Sequence, residues 1–301
     1  MNTAPVRRTY DERGLLAALA ALCDAAGLDP TNAQLIKFTN NAVFRLARQP
    51  IVVRIAGSGT ARARVPNVVR VARWLEQHDL SAVRLLDSVP QPVVAGRHTA
   101  TVWHAVPEDG PKPTATDLAR WLRAFHHLPA PSPPLPSWSP LRGIRQRLTE
   151  ATGLTDDDHD FLTRRCDQID EALTQVQFVL PPGVVHGDAT VANLIGGSHG
   201  AVMCDFDSTT VGPREWDLTP VAVGRHRFHG AADRQRALAD GYGFDVTNWD
   251  GFSVLRQLRE LQLVTSVVPI LASQPSLIPQ FQRRLRTVRT ADSEATWEPY
   301  R

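Results

Sequence analysis

An apolar run, Val184-Val185, ends at His186-Gly187-Asp188, and Asn193 follows that aspartate by five residues. A second apolar run then delivers Asp205-Phe206-Asp207. Two carboxylates and one carboxamide at this spacing suit phosphoryl transfer from a nucleoside triphosphate. Asp188 would orient and deprotonate a hydroxyl, while Asn193 and Asp205 would hold Mg²⁺ against the phosphates. Asp205-Phe206-Asp207 alone says little, because aspartate-rich turns after strands are common. Joined to a tight glycine turn with two oxygen ligands at a fixed interval, across the Gly-Gly-Ser-His-Gly hairpin of residues 196–200, the set is specific. The competing reading is a β-hairpin whose polar residues cap turns. For His186 alone that reading is preferred: it braces the loop and does no chemistry.

The two elements together resemble the catalytic loop and metal-binding strand of protein kinases, H-x-D-x-x-x-x-N followed by D-F-G. The H-G-D form and D-F-D ending are more similar to the aminoglycoside phosphotransferase and choline kinase group of small-molecule kinases. That resemblance implies an α+β, protein-kinase-like bilobal fold. A small nucleotide-binding lobe, with an antiparallel sheet plus a helix, would span residues 1–106. A larger, mostly helical lobe for catalysis and acceptor binding would span residues 107–301. The implied cofactor is Mg²⁺, the donor ATP or GTP, and the acceptor a hydroxylated small molecule: an antibiotic, a sugar or an amino-acid alcohol.

The resemblance also places the rest of a nucleotide site. Asn40 and Asn41 stand at the turn that covers the phosphates; it lacks the kinase glycines, but backbone N–H groups and short amides can line phosphates there. Arg54, in Val52-Val53-Arg54-Ile55, stands where a kinase has its strand lysine, facing the α- and β-phosphates. An exposed surface ion pair is its bland alternative. The helix glutamate that braces such a lysine is replaced by Asn67, which could hydrogen-bond the guanidinium without an ion pair. Trp103, Ala105 and Val106 close the last strand where an adenine would bond the backbone, with no role assigned to the Trp103 side chain. Gly212-Pro213-Arg214-Glu215-Trp216-Asp217-Leu218 resembles the family element whose aspartate, here Asp217, tethers the catalytic loop. A helix-terminal carboxylate favoured by the dipole is the alternative for Asp217. Asp207 stands where a protein kinase has glycine, and either approaches the metal or closes the turn.

Alternating apolar patterns predict strands at 34–38, 42–47, 51–55, 84–89 and 97–106, with a turn at 90–96. Helical periodicity predicts helices at 11–26, 61–78, 115–127, 141–149, 157–174, 216–223, 234–242, 252–272 and 279–290, with Pro66 near the first turn of the second. The proline-rich stretch 129–140 reads as an extended loop. Asp156-Asp157-Asp158 reads as helix N-capping.

The 301 residues suffice for two lobes, and a hydrophobic fraction of 43% is that of a globular protein. A formal charge of +2 gives no reason to expect nucleic acid or a membrane surface as partner. Three scattered cysteines read as free thiols, and neither a signal peptide nor a membrane span is visible, so a cytoplasmic monomer or homodimer is expected. The arginine-rich C-terminal helices weaken a polycationic aminoglycoside acceptor and favour a neutral or anionic one. The alternative to an enzyme is a kinase-like module that binds nucleotide or ligand with little transfer, suggested by Arg54 and Asn67.

Overall fold

The computed structural model describes residues 12–38, 41–228 and 232–300. They form two compact units. One joins the described part of Arg7–Leu135 to His186–Thr209; the other contains Pro136–Val185 and the described part of Thr210–Arg301. The first unit is therefore discontinuous in sequence. The border at residues 106 and 107 remains a proposal about nucleotide and acceptor lobes, a different question from compactness.

The first unit opens with helix α1, Glu12–Ala26, whose Leu15, Ala18, Leu19, Leu22 and Cys23 recur at helical spacing and are all buried. Five antiparallel strands follow: β1 (Gln34–Phe38), β2 (Asn41–Arg45), β3 (Ile51–Ala56), β4 (Val93–Ala95) and β5 (His98–His104), in the order β1-β2-β3-β5-β4. Ile51, Val53 and Ile55 pack on one face with α1, so strand alternation turns Val52 and Arg54 to the other. That second face carries helix α2, Gly59–Gln77, through Val65, Val68, Val69 and Ala72 packed with Trp103.

Two local expectations need correction. Residues 84–89 form no strand: Leu85 makes only an isolated bridge to Trp103, and Leu86 N–H donates to Val102 O at 2.9 Å. The ladder strand is β4, inside the expected turn, and the true turn is the tighter one at Gly96, where φ is +55°. Pro90 and Pro92 lack N–H donors, and Gln91 fills the gap with its side chain. Its amide donates to Val102 O at 2.9 Å and accepts from Val102 N–H at 3.1 Å, as a strand peptide would. The second correction concerns α2, which starts at Gly59 under a Ser58 cap that accepts from Ala61 N–H at 3.1 Å. Pro66 therefore lies inside the helix, where it leaves the Arg62 carbonyl without its usual donor.

Helix α3, Ala115–His126, starts in a Thr114–Asp117 capping box and completes the long elements of this unit.

The second unit contains helices α4 (Arg142–Thr149), α5 (Asp156–Thr174), α6 (Glu215–Arg227), α7 (Ala232–Tyr242), α8 (Phe252–Thr265) and α9 (Ile278–Thr290). A two-stranded ladder of residues 183–185 with 210–212 joins them. Ile144, Leu162, Cys166, Trp216, Leu255, Leu258, Leu261 and Phe281 build their common core. The expected helix 252–272 stops at Thr265 and gives way to a 3₁₀ turn at Val268–Ile270, since Pro269 supplies no donor. The cap of α5 is Thr155, whose hydroxyl accepts from Asp158 N–H at 3.2 Å; the three aspartates fill the first turn instead. No helix among the described residues is long and apolar enough to cross a membrane.

Candidate active site

The site grows from a hairpin in the first unit, Leu194–Gly197 paired with Gly200–Met203. Its second strand is anchored by Val83 N–H to Met203 O at 2.9 Å and Met203 N–H to Ser81 O at 3.2 Å. Trp121 of α3 donates its indole N–H to the same Ser81 carbonyl at 2.7 Å. The second strand of the hairpin thus has a fixed neighbour, and the turns that flank the hairpin carry the polar residues.

The turn before it is His186-Gly187-Asp188. His186 is fully buried, with Nε2 at 3.1 Å from Cys204 O and Nδ1 receiving Asp188 N–H at 3.4 Å. Those partners give Nε2 the proton and make Nδ1 the acceptor. Trp121 and Phe206 pack edge-on against the imidazole, at centroid distances of 6.0 and 5.6 Å. Gly187 sits at φ +85°, and a Cβ there would lie 2.2 Å from Ser208 O. Both the backbone sign and the space demand glycine. Gly187→Ala is expected to cost about 1–3 kcal/mol of stability through this strain, seen as a lower urea midpoint at unchanged m-value. An unchanged midpoint would show that the turn relaxes freely.

Asn193 is 9% exposed and ends a 3₁₀ turn. Its Nδ2 donates to Asp188 O at 2.8 Å, and its own carbonyl accepts Cys204 N–H at 2.9 Å. The first bond fixes the carboxamide through Nδ2 and does not use Oδ1.

After the hairpin, Asp205 adopts left-handed backbone, φ +69° and ψ +63°. Outside glycine that conformation is sparsely populated and concentrates at functional sites. Its side chain keeps 37% exposure although protein surrounds it closely. Desolvation first, and then the charges of Asp207 and Asp188, push its pKa above the usual carboxylate range against the opposing pull of Arg54. Asp188 and Asp205 are thus near enough to feel each other's charge.

Arg54 points at this turn. Nη1 donates to Asp207 Oδ1 at 3.1 Å, Nη2 donates to Asp207 Oδ2, and Nη2 lies 3.3 Å from Asp205 Oδ1. Burial opposes the guanidinium charge, but Asp207 and Asp205 outweigh it and hold the pKa above the ordinary arginine value. Asn41, 7% exposed, donates to Asp207 Oδ2 at 3.0 Å. The expected Arg54–Asn67 contact is not formed. Asn67 donates to Thr209 O at 3.1 Å and accepts from Arg70 at 2.9 Å, which commits both ends of its amide.

Among the other expected residues, Asn40 lies outside the described residues. Trp103 is 5% exposed, packs against α2 and donates to Thr101 Oγ1 at 2.7 Å, so its side chain belongs to the core. Ala105 N–H is committed to Pro50 O at 2.7 Å, and Val106 is half-buried beside it. Asp217 is fully buried in the first turn of α6, within the second unit. Cys204 is held as a neutral thiol, pushed by burial up to about 11. What sequence reasoning missed is the link from Arg54 and Asn41 to Asp207. The available signal was charge balance: a cation on β3, no acid on α2 before Glu76, and an extra aspartate where glycine is usual.

Several of the C-terminal arginines are engaged within their own unit. Arg227 is buried and bonds Glu260 at 2.7 Å, and Arg256 bonds the same carboxylate at 2.8 Å. Arg289 pairs with Asp158 at 2.7 Å, and Arg284 stacks 3.7 Å from the Tyr300 ring centroid. These four charges serve the packing of their own unit.

An antiparallel sheet with its helix, a loop-hairpin-turn carrying Asp188, Asn193 and Asp205, and a helical remainder define a protein-kinase-like α+β fold. The model of a family described as "Phosphotransferase enzyme family" matches residues 35–259, and the chain belongs to that family. Among solved structures, a microcompartment-associated aminopropanol kinase superposes with a TM-score of 0.67 at 14% identity, covering 94% of this chain and 99% of that one. Choline kinase LicA from Streptococcus pneumoniae gives 0.65 at 12% identity, over 92% and 99%. Amicoumacin kinase hAmiN, in complex with AMP-PNP, Ca²⁺ and Ami, gives 0.63 at 14% identity, over 96% of each chain. At these identities the likeness is one of fold. No curated protein matches the chain by sequence.

Proposed function

We propose that the chain transfers the γ-phosphoryl group of ATP or GTP to a hydroxyl of a small molecule, an antibiotic, a sugar or an amino-acid alcohol. The observation that carries this reading is Asp205. Its left-handed backbone presents a carboxylate beside a guanidinium and within the field of Asp188. A strained, half-desolvated carboxylate at the end of a strand has little structural purpose, whereas phosphoryl transfer needs one.

In this reading Asp188 accepts the acceptor's hydroxyl proton as that oxygen attacks the γ-phosphorus. The bond from the γ-phosphorus to the bridging oxygen breaks, and its electron pair leaves on the nucleoside diphosphate. Arg54 lies against the α- and β-phosphates, and the backbone of Ala105 and Val106, with the Ala105 N–H already engaged, offers polar groups to a purine. Asn193 Oδ1 and the Asp205 carboxylate are hard oxygen donors, and Mg²⁺ commonly takes one or two carboxylates and completes its shell with phosphates and water. When bound, Mg²⁺ neutralises charge on the transferring phosphates. Neighbours named as aminopropanol, choline and amicoumacin kinases, one of them with AMP-PNP and Ca²⁺, support a nucleotide donor, a divalent cation and a small acceptor.

The test is a screen for phosphorylated product, by ³¹P NMR, over hydroxylated antibiotics, sugars and amino-acid alcohols with ATP or GTP. Product is expected with at least one acceptor class and only with Mg²⁺. Nucleotide binding without transfer to any acceptor would favour the binding module instead.

A further inference from the structure

We propose that Asp207 is the positioning residue of Arg54, supplying from the turn after the hairpin the counter-charge that helix α2 lacks. The inference rests on the phosphate-facing role given to Arg54 above. It starts from geometry. The two Asp207 oxygens meet Arg54 Nη1 and Nη2 in a forked pair, with both side chains 15% exposed. Such bidentate pairs fix the guanidinium plane as well as its charge. Asn41 adds a third donor, to Asp207 Oδ2 at 3.0 Å, so one carboxylate ties β2 and β3 to the turn that presents Asp205.

Nothing on α2 competes. Its only acid is Glu76, in the last turn, and Asn67 is spent on Arg70 and Thr209 O. Asp205 is a poor substitute as anchor, since it offers one oxygen at 3.3 Å and is 37% exposed. A single element, the 205–207 turn, therefore sets both the metal-facing carboxylate and the orientation of the cation. A side chain that merely closed this turn would have no need of a fork aimed at β3.

The experiment measures binding of a fluorescent ATP analogue with Mg²⁺ to wild type, Asp207→Asn, Asp207→Glu and Arg54→Gln. It also measures urea unfolding of Asp207→Asn, Arg54→Gln and their double variant without nucleotide. Loss of a charge-assisted hydrogen-bonded partner should weaken analogue binding by Asp207→Asn by about ten- to a hundredfold. Asp207→Glu should recover part of that loss, because it restores charge. The unfolding cycle should be non-additive, the double variant being little worse than the poorer single one. Asp207→Asn that folds and binds the analogue like wild type would overturn the proposal, and so would strict additivity in the unfolding cycle. Wild type that binds no nucleotide, with a coupled unfolding cycle, would overturn the nucleotide reading and this role with it while leaving the ion pair in place.

Discussion

Replacing Asp188 by asparagine should lower kcat by about 10²–10⁴, the usual worth of a positioned general base, and leave nucleotide affinity nearly unchanged. The reason is local. Two of the bonds that hold this residue in the loop use its backbone: its N–H reaches His186 Nδ1 and its carbonyl receives Asn193 Nδ2. An isosteric amide keeps those backbone bonds and loses the capacity to take a proton. An effect confined to kcat is the signature of an interaction made in the transition state. Steady-state kinetics with an acceptor from the screen checks it, and near-normal kcat would remove Asp188 from the role of base.

Asp205→Asn should behave differently. Asparagine tolerates left-handed backbone better than most residues, so the turn should survive and the change isolates the charge. Losing one hard ligand should weaken Mg²⁺-dependent nucleotide binding and turnover together, by about 10²–10³, as expected for several kcal/mol of lost metal and phosphate stabilisation. Asp205→Ala is the poorer probe, since an alanine at φ +69° would add backbone strain to the lost ligand. A variant that binds Mg²⁺ and nucleotide normally but turns over slowly would move the metal away from Asp205.

How much of this was legible in the sequence depends on distance along the chain. Asp188, Asn193 and Asp205 lie within one short segment, and their spacing suggests phosphoryl transfer without any tertiary knowledge. The helices with strong apolar periodicity, α3 and α9 among them, were equally plain. Arg54 was found through its strand, but its partner was not: Asp207 is 153 residues away, and Asn67, only one helix further on, was the nearer guess. Residues 84–89 carry the apolar content of a strand without a ladder, because pairing is decided by neighbours that periodicity cannot see. Arg227, Arg256 and Arg284 looked like surface charge and are instead held by Glu260 and by aromatic rings, which only packing reveals.

With Asp205 in a Mg²⁺–nucleotide site and Asp188 in the transfer step, the two carboxylates should separate in a binding experiment. Calorimetric titration of a non-hydrolysable ATP analogue, with and without Mg²⁺, tests it without knowledge of the acceptor. The expected result is Mg²⁺-dependent binding by wild type and by Asp188→Asn, and its loss in Asp205→Asn. Binding that ignores Mg²⁺, or that is equal in all three proteins, would contradict the account.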